Sequence, residues 1–326
     1  MPKTTLLPRL ADGQIHSGQE LADVMGISRT AVWKQLNRLA ELGIEVESVK
    51  GQGYRVPGGL DLLDANRVRE QLKPASSNLL REVRVLESVD STNAEVLRQL
   101  VDGSDPRGLV CTAERQTAGR GRRGRQWVSP FARNIYLSLA WDFSEGASAL
   151  EGLSLAIGVA AVRALKELNL GPVSLKWPND ILVEGAKLGG VLLEMSGDAA
   201  GQIQVVIGLG LNVSMSAATG SAIDQSWTDL DRVSGGRTPP RNHLLAALLD
   251  ELLPLLQNFD REGFSPWRDE WRALDALADA QVLLHSGPDQ FAGIARGVDD
   301  RGALLLETAS GIRPVFGGEV SLRPAS

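Results

Sequence analysis

The 326-residue sequence has one cysteine, Cys111, and three histidines, His16, His243 and His285. A single thiol excludes an internal disulfide framework and fits a reducing compartment. Within the strand-like run Leu109-Val110-Cys111-Thr112 it reads as a small buried apolar side chain. The histidines are too scattered in sequence to suggest a metal site. No Ser/His/Asp or Cys/His constellation points to an enzyme nucleophile. Long apolar runs are also missing: the longest, around Leu153–Val162, falls far short of the ~20 residues that span a bilayer. Met1-Pro2-Lys3-Thr4-Thr5 lacks the basic-then-apolar pattern of a secretory signal. The expectation is a cytoplasmic protein with no membrane partner. Nor is there an excess of positive charge. The formal net charge of -6 leaves any attraction to nucleic acid to a local surface.

What is present divides into three regions, without repeats or low-complexity tracts. The first, residues 1–63, closes just after the break Pro57-Gly58-Gly59. The second, 64–274, mixes apolar strand-like runs with helical segments. The third, 275–326, reads as short strands punctuated by Gly, Asp and Pro. In the second, Gly152–Leu168 is apolar on nearly every side until Arg163, as expected of a helix buried against a sheet. Asn134–Trp141, Lys187–Glu194 and Val205–Val213 are strand candidates. The strands cluster without a regular βαβ rhythm, so the expected class is α+β.

In the first region Gln19–Met25 has a helical pattern, followed by Gly26-Ile27 and then Ser28, a favoured N-cap. Val32, Leu36 and Leu39 recur at i, i+4, i+7 and can face a core. The other face offers Arg29, Thr30, Trp33 and Asn37, with Lys34 and Arg38 on its flank. This is a helix-turn-helix whose second helix suits the major groove. Ile44–Val49 and Tyr54–Val56 then form a hairpin around Lys50-Gly51-Gln52-Gly53, a wing from which Lys50 and Arg55 can reach phosphates. Basic and acidic residues nearly balance here, so a helical protein-interaction module stays open.

The most distinctive stretch is Gly119-Arg120-Gly121-Arg122-Arg123-Gly124-Arg125. Five arginines fall in the eleven residues from Arg115, with no acidic residue among them. Clustered guanidinium groups suit an anionic guest, because each can grip a carboxylate or phosphate through two hydrogen bonds. The glycines make the loop able to close over that guest. The stretch formally matches G-x-G-x-x-G, but Gln126-Trp127-Val128-Ser129-Pro130 does not open the helix that a dinucleotide fold needs. No Gly-Lys-Ser/Thr completes a Walker loop. A solvated basic loop is the plain alternative.

Asp90-Ser91-Thr92-Asn93 precedes an amphipathic helix with Val96, Leu97 and Leu100, and Thr92 with Glu95 has capping-box spacing. It is either a helix start alone or also a binder of a small polar head group. Lys176-Trp177-Pro178-Asn179-Asp180 reads as a strand end turning at proline. Strand alternation places Lys187 and Gly189 on one face and Leu188 on the other. In Gly208-Leu209-Gly210-Leu211-Asn212 it puts both glycines and Asn212 opposite the leucines. A glycine face either admits a ligand against bare backbone or allows close packing of two elements.

In their order, these motifs resemble those of bacterial biotin–protein ligases, and Gly317-Gly318-Glu319-Val320-Ser321-Leu322-Arg323 also fits. With the winged helix in front, the chain resembles the bifunctional type that is both ligase and biotin-operon repressor. The resemblance covers essentially the whole chain and is most specific at the Gly/Arg loop. Leu188-Gly189-Gly190 departs from the Leu-Ala-Gly of some relatives.

The resemblance implies an N-terminal winged helix-turn-helix, a central class II synthetase-like ligase domain and a C-terminal SH3-like β-barrel. Biotin would meet Ser91, Thr92, Asn93, Gln116, Arg120, Gly121, Arg122, Lys187, Gly208 and Gly210. The nucleotide would meet Arg120, Arg122, Asn179, Asp180, Asn212 and Trp227, with Mg²⁺ by Asp180. Arg122 and Lys187 would carry catalysis. Arg29, Thr30, Trp33, Lys34 and Asn37 would face operator DNA. Implied partners are the biotin carboxyl carrier protein as acceptor and a second copy of the chain once biotinyl-5'-AMP is bound. A ligand-sensing repressor without turnover, and a lipoate ligase, are the competing readings.

Overall fold

The computed structural model describes residues 6–197, 202–286, 289–317 and 320–324. The first region folds as α1 (Leu7–Leu10), α2 (Gly18–Met25), α3 (Arg29–Glu41) and a hairpin of β1 (Glu47–Val49) with β2 (Gly53–Arg55). The sequence dictates the helix pair locally. The Ser17 hydroxyl accepts the Glu20 N–H, Gly26 ends α2 in the left-handed region, and the Ser28 hydroxyl accepts the Ala31 N–H. Val32, Leu36 and Leu39 enter a core with Leu6, Leu10, Leu21, Ile44 and Val56. The hairpin strands are shorter than expected: the Ile44 N–H closes the end of α3 on the Leu39 carbonyl, and the ladder pairs only Glu47–Val49 with Gly53–Arg55. His16 and Tyr54 exchange backbone hydrogen bonds of 2.9 Å, which fastens the wing to the approach to α2.

The second region runs α4 (Ala65–Gln71), α5 (Pro74–Leu79), β3 (Glu82–Leu86), α6 (Thr92–Val101), β4 (Leu109–Ala113), β5 (Ile135–Phe143) and α7 (Leu153–Glu167). It continues with β6 (Ser174–Lys176), β7 (Asp180–Val183), β8 (Ala186–Gly197), β9 (Ile203–Leu211), α8 (Ala217–Gly220), α9 (Leu230–Ser234), α10 (Arg241–Glu262) and α11 (Arg268–Ala273). The seven strands form one sheet in the order β3-β4-β5-β9-β8-β7-β6, parallel only between β3 and β4. This mixed sheet is the expected α+β core.

Strand periodicity gives the sheet two faces. Leu137, Leu139, Ile207, Leu209 and Leu211 point to the side covered by α7 and α10. Each such buried leucine or isoleucine contributes about 1.5–3 kcal/mol. Residues 147–167 include an 18-residue window apolar and long enough to cross a membrane, but 67% of that window is buried in this core. Cys111 points to the other face, where α6 covers it with Val96 and Leu100. Burial there pushes its thiol up to about 12. Beyond α6 the same face carries Ser138, Gly190, Glu194, Gly208 and Gly210, and the site lies there.

The third region is a five-stranded antiparallel sheet of β10 (Gln281–Ser286), β11 (Asp289–Val298), β12 (Leu304–Thr308), β13 (Gly311–Val315) and β14 (Val320–Pro324), in the order β13-β12-β11-β10-β14. Its buried face, with Val282, Ala295, Leu304 and Leu322, is continuous with the central core. The Trp177 indole N–H, at the turn after β6, donates to the Gly302 carbonyl. Of the expected C-terminal motif, Gly318 and Glu319 lie outside the described residues.

Candidate active site

The N-terminus of α6 opens the site. Ser91, not Thr92, is its N-cap, and Glu95 turns to Arg98 at 2.7 Å instead of completing a capping box. Arg98 also grips Asp90 through two hydrogen bonds, and that contact holds the Asp90 carboxyl down at about 2. Asp90 therefore fixes the helix entry. Thr92 and Asn93 are released inward, where both are buried.

A string of hydrogen bonds then crosses four elements. Gln116 accepts from the Thr92 backbone N–H at 2.9 Å and from its hydroxyl at 3.1 Å. The Gln116 amide N–H donates to Ser129, which donates to the Trp127 carbonyl. The Ser138 hydroxyl lies 2.5 Å from Asn93 Oδ1 and 2.7 Å from Thr92 Oγ1. Asn93 Nδ2 donates to Glu194 at 2.7 Å, and Arg120 approaches the same carboxylate at 3.5 Å. Ser138 and Glu194 are absent from the residues read from sequence. Ser138 had a signal: it is a hydroxyl inside the apolar run Ile135–Trp141, in register with Gly208.

Gly208 and Gly210 do share a face opposite Leu209 and Leu211, and side chains occupy it. A Cβ on Gly208 would lie 2.6 Å from Asn93 Oδ1, and one on Gly210 would lie 2.6 Å from Trp127 Cε2. Close packing is thus the immediate reason for both glycines. A ligand lying against the Gly210 backbone has to share that space with the indole. Trp127 Nε1 is buried with no hydrogen-bond partner among the described residues, an orphan donor at this spot.

The Gly/Arg loop is a closed turn. Trp127 N–H donates to the Gly119 carbonyl, Gly121 N–H donates to the Arg125 carbonyl, and Arg120 bridges Gln126. No α-helix follows, as the rejection of a dinucleotide fingerprint requires. Gly121 has φ -109°, open to any residue, and an added Cβ would make only ordinary contacts. The ligand-free turn therefore does not need a glycine there.

Arg122 leaves the turn to reach Asn179 Oδ1 at 3.1 Å, while Asn179 Nδ2 donates to the Val191 carbonyl. Burial pulls the Arg122 guanidinium below its usual range, with Asp180 acting against this and Arg123 and Arg125 with it. Asp180 is an ion-pair hub, 2.5 Å from Lys187 Nζ and 2.7 Å from Lys176 Nζ. Burial raises its carboxyl, but the two ammonium groups outweigh this and hold it below the ordinary carboxylate range. Lys187 Nζ also lies 5.7 Å from the centre of the Trp127 ring.

The alternation expected around Lys187 does not hold. A bulge between Ile181 and Leu182 pairs Leu182 with Lys187 and Ile181 with Gly189, leaving Leu188 over. The extra residue flips the register. Gly190, not Gly189, shares the face of Lys187, with its Cβ position 3.5 Å from Nζ.

Trp227 reaches the site through backbone: Lys187 N–H donates to the Ser226 carbonyl, and Thr228 N–H donates to the Lys187 carbonyl. Its ring stacks under Arg232 at 4.1 Å. Asn212 is buried and donates to the Thr228 carbonyl, so it braces the Trp227 segment. The structure thus gathers Thr92, Asn93, Gln116, Arg120, Arg122, Asn179, Asp180 and Lys187, while Asn212 sits behind them. A separate groove of about 280 Å³ between α7 and α10 contains none of these residues.

On the N-terminal domain, Arg29, Thr30, Trp33, Lys34 and Asn37 are all exposed, Trp33 by 56%. Lys50 is exposed at the wing tip, whereas Arg55 pairs with Glu47 at 2.7 Å. Phe131 and Ala132, a few residues beyond the Gly/Arg turn, pack into the core of this domain.

Residues 85–212 match the Biotin/lipoate A/B protein ligase family, residues 4–55 an HTH domain, and residues 281–323 the Biotin protein ligase C terminal domain. The chain is 42% identical to the Bifunctional ligase/repressor BirA of Salmonella typhimurium and 41% identical to that of Escherichia coli, in each case over 98% of this chain and 97% of the relative. Among solved structures it is similar to the biotin protein ligase from Aquifex aeolicus in complex with biotin and ATP. That match has a TM-score of 0.65 and 29% identity, and covers 76% of this chain and 100% of the other.

Proposed function

Because the chain belongs to the bifunctional biotin ligase/repressor family, we propose that its central site makes biotinyl-5'-AMP and passes biotin to a lysine of the biotin carboxyl carrier protein of acetyl-CoA carboxylase. It is a biotin–protein ligase that uses ATP, and a DNA-binding repressor. The proposed division is into three domains, with boundaries at residues 63/64 and 274/275. Leu62 packs with the N-terminal core and Leu63 with the central one, which supports the first boundary.

The observation that carries the reading is the convergence of Arg122, Lys176 and Lys187 around Asn179 and Asp180, next to the polar string from Thr92 to Glu194. One end offers donors and acceptors for a neutral polar head group, and the other offers cations for a carboxylate and phosphates. Ser91, Thr92, Asn93, Gln116, Gly208 and Gly210 would hold biotin. Arg120, Gly121 and Arg122 would close over it, and Asn179, Asp180, Asn212 and Trp227 would border the nucleotide.

In the first step a carboxylate oxygen of biotin attacks the α-phosphorus of ATP and pyrophosphate leaves. In the second, the acceptor lysine amine attacks the mixed anhydride, AMP leaves, and the nitrogen sheds a proton. Neither step needs an enzyme nucleophile. Bringing two anions together needs cations fixed in advance, and Arg122 and Lys187 supply them without reorganisation.

Mg²⁺ fits as a companion of the nucleotide. Asp180 is the one carboxylate among the gathered residues, and both its oxygens already face ammonium groups. A Mg²⁺ with phosphates and water as its main ligands, and Asp180 as a single protein contact, matches that donor set. Bound there, it would neutralise charge on the leaving pyrophosphate.

The adenylate would also serve as corepressor, favouring a homodimer on a two-half-site operator, and the protein would work in the cytoplasm. ATP–pyrophosphate exchange with biotin, lipoate or neither tests the central claim. Exchange only with biotin supports it. No exchange under any condition would leave a ligand-sensing repressor.

A further inference from the structure

We infer that Glu194 is a positioning residue for biotin: it fixes the Asn93 carboxamide and holds Arg120 beside the site before the substrate arrives. The inference rests on the ligase reading above and goes beyond it, since no substrate contact is assigned to Glu194.

Glu194 stands four residues beyond Gly190 on β8, opposite Val206, and so points to the ligand face. A carboxylate is a costly choice on a face built for an anionic substrate, unless it has fixed partners. Its two partners come from two different elements. One oxygen accepts from Asn93 Nδ2 at 2.7 Å, and the other lies 3.5 Å from Arg120.

The first contact determines which way the Asn93 amide faces. An amide can present oxygen or nitrogen to either side, but a carboxylate accepts only N–H. Glu194 therefore turns Nδ2 toward itself and Oδ1 toward the Ser138 hydroxyl at 2.5 Å. Ser138 in turn lies against Thr92, whose hydroxyl donates to Gln116. The direction set by Glu194 thus runs through Asn93 to Ser138, whose one hydroxyl proton goes to Asn93 Oδ1, while the Thr92 N–H orients Gln116 separately. Behind Asn93, the absent Cβ of Gly208 leaves room for the amide in this one place.

The second contact is longer and half-exposed, so it exchanges readily. It keeps Arg120 near the site without competing strongly with an incoming carboxylate or phosphate.

The test uses full-length protein with Glu194→Ala, Glu194→Gln, Asn93→Ala and the Asn93→Ala/Glu194→Ala double variant. Biotin-dependent exchange kinetics and biotin titration calorimetry are measured for each. Loss of a hydrogen bond to a charged group predicts a rise of about tenfold or more in KM and Kd for biotin in Glu194→Ala, with kcat and the KM for ATP within about threefold. Glu194→Gln keeps an acceptor for Asn93 and should return both biotin constants to within about threefold of wild type. In the Asn93→Ala background, removing Glu194 should change little further.

Unchanged biotin constants in Glu194→Ala, effects that add to those of Asn93→Ala, or a fall in kcat alone would overturn the inference. If Glu194→Ala does not fold, a Glu194→Gln variant that binds biotin as poorly as Asn93→Ala would overturn it equally. A wild-type protein that binds biotin without exchange would refute the ligase reading, while the calorimetry would still decide the role of Glu194.

Discussion

The Arg241 guanidinium and the Glu114 carboxylate form a 2.6 Å ion pair with side chains 2% and 5% exposed, at the joint between the winged helix and the ligase domain. Arg241 also donates to the Asp61 and Asn134 carbonyls, and Glu114 accepts the Leu63 N–H. Chain leaving the DNA-binding domain, the end of β4, the approach to β5 and the start of α10 are thus held by one pair. Glu114 is two residues before Gln116, and Asn134 three after Phe131. A single segment therefore runs from the joint, through the site, and back to the joint.

Removing one partner strands a buried charge, so Arg241→Met should cost about 3–5 kcal/mol of stability. Urea unfolding followed by tryptophan fluorescence checks it. A midpoint within error of wild type would mean that the backbone bonds alone hold the joint.

Arg122→Ala or Lys187→Ala should slow adenylate formation by about tenfold or more, because each removes a cation placed ahead of the reaction. Single-turnover formation of biotinyl-5'-AMP is the measurement. Near-normal rates would remove the catalytic role. Gly121→Ala should leave folding intact, since that turn accepts a methyl group, and should speed escape of the adenylate, read by trapping released intermediate.

Gly208→Ala should raise the KM for biotin more than Gly210→Ala. At Gly208 the methyl meets the Asn93 amide, which Ser138 and Glu194 pin from both ends. At Gly210 it meets the rim of Trp127, whose indole N–H has no hydrogen bond among the described residues to pin it. Steady-state exchange kinetics for the two variants would decide, and the reverse order would mean that Trp127 is the more rigid element.

Much of this site was legible as sequence because its residues break local rules. Arginines without acidic neighbours, glycines on one strand face, and the polar run Ser91-Thr92-Asn93 at a helix start each stand out against a solvated or core background, although the cap itself was placed one residue late, on Thr92 instead of Ser91. Glu194 was not legible, because a lone charged residue in a strand looks like any solvent-facing one, and Lys176 was read only as part of the strand-end motif Lys176–Asp180, with no role of its own. The face of Gly189 was misread because a bulge leaves no trace in a run of small and apolar residues. The helix-turn-helix was readable almost to the residue, since Ser17, Gly26 and Ser28 act through bonds three or four residues long. The packing of Phe131 into the N-terminal core is a contact across distant parts of the chain, and nothing local announces it.

Asp275, where the chain passes to the C-terminal sheet, supplies a pH prediction. Burial raises its carboxyl to about 6 from 3.8; nearby Asp279 adds to the rise and the Leu277 N–H opposes it. One oxygen is buried without a partner among the described residues. The folded protein thus binds this proton more tightly than the unfolded chain. The stability from this site is full below pH 3.8, is lost between 3.8 and about 6, and is absent above. Asp275→Asn should match wild type near the acid end and exceed it by about 2–3 kcal/mol at pH 8. Urea midpoints for both proteins across that range are the check, and a difference independent of pH would mean that the carboxyl titrates normally.

DNA binding can be separated from ligation because the exposed residues of α3 lie apart from the site. Arg29→Ala and Lys34→Ala should each weaken operator binding. If the side chain meets a phosphate, the variant should also lower the slope of log K against log salt by about 1. Asn37→Ala should instead relax sequence preference and leave the slope unchanged, as expected for contact with a base edge. All three should keep wild-type exchange rates. Fluorescence anisotropy with operator fragments at several salt concentrations, with biotin plus ATP present, reads both quantities. Equal slopes for all three variants and wild type would place this face away from the phosphate backbone. The balanced charge of the region would then be better explained by a protein partner.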